Sequence, residues 1–98
     1  MMIRANRKRR LVYPVTVSDL VGIAIRRERQ FLDLTQQDLA NAIGVTRSHI
    51  CNIEIGRFQV GLDLLWDIAV ALDVEARSLV PSTKMLGHEN YKAKRRKR

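Results

Sequence analysis

The stretch TQQDLANAIGVTRSHICNIEIG, Thr35 to Gly56, decides how this chain folds. Thr35 stands three residues before Asp38. At that spacing a Thr hydroxyl accepts from an amide in a first helical turn while the acid reaches back to the cap. Leu39, Ala40 and Ile43 then recur at helical spacing and supply a buried stripe. Gly44 reads as the end of that helix, because glycine enters the left-handed region without steric cost. Two residues later Thr46 caps a second helix, Ile50 and Ile53 provide its buried stripe, and Gly56 ends it. Arg47, Ser48, Cys51, Asn52 and Ile55 are left facing outward. Two short helices about a tight Gly44-Val45 turn, the second with small polar and basic residues outside, suit insertion into the major groove of DNA.

Working outward, Thr16 with Asp19 three residues on starts a helix that runs to about Phe31. Val21, Ile25, Glu28 or Arg29, and Leu32 form its inner side. Asp33 takes the turn that follows, since Asp tolerates the left-handed region better than most residues. The two central helices span about 36–43 and 47–55, and Arg57 to Val60 is a loop. Gly61 opens a fourth helix in which Leu62, Leu65, Trp66, Ile68, Ala69 and Leu72 are apolar beyond a single stripe, so this helix is expected to be central. Asp73-Val74 breaks it, and a short fifth helix covers about 75–80 before Pro81. The expectation is an all-α, compact five-helix domain over residues 16–81. A basic arm, 1–15, and a basic tail, 82–98, flank it, and both read as flexible.

Ninety-eight residues suffice for one domain with a modest core. The formal charge of +8 is unevenly spread. Arg4, Arg7, Lys8, Arg9 and Arg10 meet no acid near the start; Lys84, Lys92, Lys94, Arg95, Arg96, Lys97 and Arg98 meet only Glu89 near the end. Between them lie nine acids and six arginines, so a binding face on the domain must rest on a few placed arginines and on helix N-termini. No apolar run approaches the length of a membrane span, and the basic start lacks the apolar segment of a secretion signal. Cys51 is the sole cysteine, which leaves no internal disulfide, and its reading is a small filler. His49, His88 and Cys51 are too scattered for a metal site. No nucleophile–base pattern, phosphate-binding glycine loop or paired-carboxylate motif occurs. These readings argue against an enzyme, a cofactor or a metal, and place the chain in the cytoplasm.

The motif elements Thr35-Gln36, Leu39-Ala40, Gly44-Val45, Ile50, Ile53-Glu54 and Gly56 stand in register with a known pattern. The chain resembles the helix-turn-helix of phage repressors, Cro proteins and related regulators over roughly Asp19 to Val80. That resemblance implies a lambda-repressor-like fold that binds double-stranded DNA, and a bacterial, phage or plasmid origin. It departs from the family at Asp33, where Gly is frequent, at Val60, where Pro is common, and at Gly61, where a Ser cap is common. The last two weaken the start of the fourth helix and leave the reading helix untouched.

Arg matches guanine and Asn matches adenine in the major groove. Arg47 and Asn52 are therefore the expected base readers, with Ser48 adding a shorter contact. By resemblance, Gln36 contacts the phosphate backbone and braces the reading helix, and Arg57 is placed like the family's basic backbone contact. Gln37 and Arg26 are further backbone candidates. Arg29 and Glu54 match positions that form a salt bridge in the family, orienting the reading helix. His49 reads as a packing or capping residue.

The resemblance implies a transcriptional regulator, a repressor that occupies an operator and excludes polymerase. One such domain reads few base pairs, so a homodimer on a palindrome is expected, with Leu64, Leu79 and Val80 as interface candidates. An antitoxin-like or adaptor protein, binding both an operator and a partner protein through Met85, Leu86 and Tyr91, is the alternative. A pure protein-interaction domain is a third reading, opposed by the suitability of Gln36, Arg47, Asn52 and Arg57. The basic ends read either as nonspecific phosphate contacts or as solubilising segments, and the first is preferred. Deleting both should then flatten the salt dependence of DNA affinity and leave base preference intact. An unchanged slope in binding titrations at several salt concentrations would assign them to solubility.

Overall fold

Each α-helix among the described residues ends in the same backbone device. The computed structural model describes residues 15–83. The basic arm and tail, with Met85, Leu86, His88 and Tyr91, lie outside the described residues apart from their innermost positions. Within Val17–Pro81 the order is α1 (Val17–Phe31), α2 (Gln36–Ile43), α3 (Arg47–Glu54), α4 (Leu62–Leu72) and a 3-10 turn at Ala76–Leu79. After each α-helix one residue turns left-handed: Asp33 (φ 58°), Gly44 (φ 76°), Gly56 (φ 81°) and Asp73 (φ 57°). The next amide then reaches back five residues: Leu34 N–H to the Arg29 carbonyl, Val45 to Ala40, Arg57 to Asn52 and Val74 to Ala69, at 2.9–3.1 Å. Carbonyls that a helix end would leave unpaired are thereby satisfied.

The starts of α2 and α3 follow the sequence reading. The Thr35 hydroxyl accepts from the Asp38 amide at 2.9 Å, and the Thr35 amide donates to the Asp38 carboxylate at 2.8 Å. That amide, and then the hydroxyl, hold the Asp38 carboxyl below the usual carboxylate range. Thr46 accepts from the His49 amide at 3.1 Å. Gly61, at the start of α4, makes no side-chain cap.

One core joins all the elements. Val21, Ala24 and Ile25 of α1 meet Leu39 and Ala40 of α2, Ile50 and Ile53 of α3, and Leu65, Ile68, Ala69 and Leu72 of α4, with Leu79 closing one end. Five positions differ from the sequence reading. The expected fifth helix is a four-residue 3-10 turn, because Pro81 and the left-handed Asp73 leave too little chain for α-helical turns. Helix α3 stops at Glu54, with Ile55 as its cap. Leu32 is exposed beyond the end of α1. Helix α4 is not central: Leu65, Ile68, Ala69 and Leu72 are buried, whereas Leu62, Trp66 and Val70 face solvent. Leu79 is fully buried and Leu64 packs against the core, so of the three interface candidates only Val80 is exposed.

Gly22 marks a close crossing of α1 and α3. A β-carbon there would lie 2.6 Å from the Glu54 carbonyl oxygen and would also collide with that of Ile53. Its absence lets α1 press directly on the backbone of α3. Gly22→Ala should therefore lower stability by about 1–3 kcal/mol, the usual cost of overpacking. Gly61→Ser, where a β-carbon meets nothing within 4 Å, should raise it by a few tenths of a kcal/mol. Urea unfolding midpoints of the two variants separate these opposite signs.

Candidate nucleic-acid interface

The outer face of α3 is held by a chain of polar contacts that starts in the core. Arg29, in the last turn of α1, is buried, as is Glu54 at the end of α3. Arg29 Nε donates to Glu54 Oε2 at 2.6 Å and Nη2 to Oε1 at 3.0 Å, a two-pronged pairing of guanidinium and carboxylate. Arg29 Nη1 donates to the Leu34 carbonyl at 2.7 Å. The hydrogen-bonded Glu54 carboxylate pushes the Arg29 guanidinium further up from its ordinary value, against the opposing effect of burial.

Gln36, the first residue of α2, extends this pair to the surface. Its Nε2 donates to Glu54 Oε1 at 3.0 Å, and its Oε1 accepts from Arg47 Nη1 at 3.2 Å. The carboxylate accepts only and the guanidinium donates only, so the orientation of the Gln36 amide is fixed by chemistry. Four sequence-identified residues, Arg29, Glu54, Gln36 and Arg47, thus lie on one path across three helices. The contacts of Gln36 with both neighbours were not legible in the spacing, because they join residues eighteen and eleven positions apart.

Arg47 and Ser48 are exposed in the first turn of α3, and Asn52 is half-buried one turn on. Gln37 is exposed, with its amide donating to Asn41 Oδ1 at 2.8 Å. Arg57, after α3, and Arg26, on α1, are exposed and make no hydrogen bond to the Gln36 path. Among the described residues, no hydrogen bond or ion pair engages the side chains of Ser48, Asn52, Arg57 or Arg26. The His49 ring lies against Phe58, with centroids 5.0 Å apart, and so closes the loop after α3 onto its first turn. Gly22 and Phe58 both shape α3 and escaped the sequence reading. A glycine within a helical pattern is the one cue that could have pointed to the close crossing.

Among the described residues no group of three or more His, Cys, Asp or Glu could hold a metal, and no helix is long and apolar enough to cross a membrane. Residues 25–79, more than half of the chain, match the model of the helix-turn-helix family. The chain belongs to this family of DNA-binding transcriptional regulators. It is 47% identical over 51 residues to an HTH-type transcriptional regulator of Methanothermobacter thermautotrophicus, a match covering 52% of this chain and 74% of that one. It is 41% identical over 51 residues to an HTH-type transcriptional regulator of Sinorhizobium fredii, covering 52% of this chain but only 26% of the relative. Among solved structures, the restriction-modification controller protein C.AhdI from Aeromonas hydrophila superposes with a TM-score of 0.61 at 34% identity, over 63% of this chain and 94% of that one. These homologues are regulators with a DNA-binding fold, not enzymes.

Removing one partner from the buried pair leaves the other charge without compensation. Glu54→Ala should cost about 3–5 kcal/mol. Arg29→Met combined with Glu54→Leu should cost less than Glu54→Ala alone, because no charge is then stranded. Guanidinium unfolding curves of the three chains test this ordering.

Proposed function

We propose that this protein binds a specific double-stranded DNA operator as a symmetric homodimer and represses transcription by excluding polymerase from it. In this reading α3 enters the major groove. Arg47 pairs with guanine through the donors not given to Gln36, Asn52 pairs with adenine, and Ser48 adds a third contact. Gln36, Gln37, Arg57 and Arg26 meet the phosphate backbone. Gln36 keeps one amide proton and its backbone N–H at the start of α2 for an anion, a position where the helix dipole favours negative charge. Arg29 and Glu54 orient the reading helix without touching DNA.

The observation that carries this reading is the Glu54–Gln36–Arg47 path. It fixes the guanidinium of an exposed arginine from a buried charge, which lowers the ordering cost that a flexible side chain adds to binding. A solvated helix face has no need of such bracing. The domain proper, residues 16–81, carries the recognition, and the basic segments 1–15 and 82–98 add affinity independent of sequence.

Selection of sites from random duplex DNA at near-physiological salt should enrich an inverted repeat. With Arg47→Ala the preference should relax at one position per half-site, a loss of discrimination of about 1–3 kcal/mol. With Arg57→Ala all sites should weaken alike, and the salt slope should fall by about 1. A uniform loss for Arg47→Ala would instead make that residue a phosphate contact.

A further inference from the structure

The loop after α3 is tied back onto that helix at two points. The Arg57 amide donates to the Asn52 carbonyl at 2.9 Å, just beyond the left-handed Gly56. One residue on, the Phe58 ring lies against the His49 ring, with centroids 5.0 Å apart and planes inclined by 32°. His49 and Asn52 stand three residues apart on α3, so both ties fall on one flank of the helix. The His49 end is itself anchored, because its amide donates to the Thr46 hydroxyl. The exit from α3 is anchored too: a β-carbon on Gly56 would collide with Asp19 of α1. Among the described residues, Phe58, Gln59 and Val60 donate no backbone hydrogen bond to a backbone carbonyl. The ring contact therefore holds the chain between the Arg57 amide and Val60, where the loop rejoins the core. Phe58 remains 43% exposed, so core packing does not account for it.

We infer that His49 and Phe58 are positioning residues for DNA binding: their ring contact holds Arg57 ready for a backbone phosphate on the flank of α3 away from Gln36. This rests on the operator reading of α3 and adds to it a second, separately braced wall. Residues two apart in a helix lie roughly 200° apart around its axis, so Arg47 and His49 belong to opposite flanks. Gln36 bonds to Arg47 and serves one flank. Arg57, tied beside Asn52 and His49, serves the other. A helix in the major groove has a phosphate strand on each side of it, so both flanks need an anchor. The two anchors are held differently. Arg47 is aimed through its side chain, whereas the side chain of Arg57 has no partner among the described residues and takes its aim from the loop alone. A loose loop would have to be ordered on binding, and that cost would weaken the contact. The two rings order it in advance. Phosphate contacts set register and carry no base preference, so the rings act on affinity and leave base choice to α3.

The test titrates full-length variants, checked for helical circular dichroism, with the duplex that the wild type enriches from random DNA and with single-base variants of that duplex, at several salt concentrations. Phe58→Ala should weaken all of these duplexes alike, by about three- to tenfold, the worth of one aromatic pair. The loss should not exceed that of Arg57→Ala, and the salt slope should fall toward the slope of that variant. His49→Ala, which removes the other ring, should reproduce Phe58→Ala. Phe58→Tyr, which keeps a ring, should bind like the wild type. Added to Arg57→Ala, Phe58→Ala should cost nothing more, because two residues acting through one contact are not additive. If Phe58→Ala loses its helical signal, Phe58→Leu makes the same comparison with the apolar volume kept. Wild-type affinity in the folded ring-less variants overturns the inference. A loss of the same size with and without Arg57 overturns it too, because the rings would then act on α3 itself, and so does a change in base preference. A wild type that enriches no duplex sinks the operator reading and this inference together, whereas an operator bound equally well without the ring contact sinks this inference alone.

Discussion

The Arg29–Glu54 pair is the constraint on which the arrangement of helices depends. Burying two charges costs several kcal/mol per ion, and this cost is recovered only when the remaining donors and acceptors are satisfied. Here they are. The guanidinium gives three hydrogen bonds, two to Glu54 and one to the Leu34 carbonyl, and Glu54 accepts a further bond from Gln36. The Leu34 carbonyl is in reach because Asp33 turns left-handed and folds the chain back over the end of α1. An apolar pair of the same volume would fill the space as well, but it would not specify direction. The ionic pair ties the end of α1 to the end of α3 and the start of α2 in one geometry.

That geometry matters because α3 has little stability of its own. Isolated helices shorter than about 12–15 residues are marginal in water, and α3 has 8. Its orientation is therefore set by what holds its two ends. At the C-terminal end, the salt bridge and the backbone crossing at Gly22 fix both rotation and approach. At the N-terminal end, the Thr46 cap, the His49–Phe58 ring contact and the Arg47–Gln36 bond do so. Between them Ile50 and Ile53 are buried, which leaves Ser48, Asn52 and the remaining donors of Arg47 on the side of α3 proposed to read DNA.

Local chemistry was legible in the sequence, and long-range geometry was legible only where the resemblance supplied it. Thr35, Thr46, Gly44, Gly56 and Asp33 announce helix ends because capping is decided within a few residues. Arg29 with Glu54 could be paired in advance, since the family places a salt bridge there. Gln36 as a link between Glu54 and Arg47 could not be read off the residues, because nothing local says which way an amide points. The misreading of α4 has a different cause. Periodicity assumes that apolar residues are buried, and in α4 the apolar positions exceed what one face of this small core can cover. Leu62, Trp66 and Val70 were left outside because α1, α2 and the 3-10 turn all pack on the opposite face. Leu32 failed for a simpler reason: the helix ends before it, so its register no longer follows α1. The 3-10 turn was misjudged as a helix because seven residues between a left-handed Asp and a proline cannot complete two α-helical turns of about 3.6 residues each.

Charge placement gives the molecule a direction that its net charge conceals. Between the basic ends acids outnumber arginines, so the domain as a whole repels a polyanion. On α2 and α3, however, the acids are Asp38 and Glu54, and both are engaged, one in the Thr35 capping box and the other in the buried pair. Arg47 and Arg57 are the charges this side presents to solvent. The exposed acids Asp63, Asp67, Asp73 and Glu75 lie on α4 and the segment after it. Exposed charges more than about 10 Å apart are screened at moderate salt, so each side acts on its own surroundings rather than through the total. In the proposed operator complex, a duplex would accordingly be drawn to the α2–α3 side and turned away from the α4 side. On that proposal, orientation follows from which acids are neutralised internally, and the buried pair serves electrostatics as much as packing: it removes Glu54, the one acid of α3, from the surface proposed to face the phosphates.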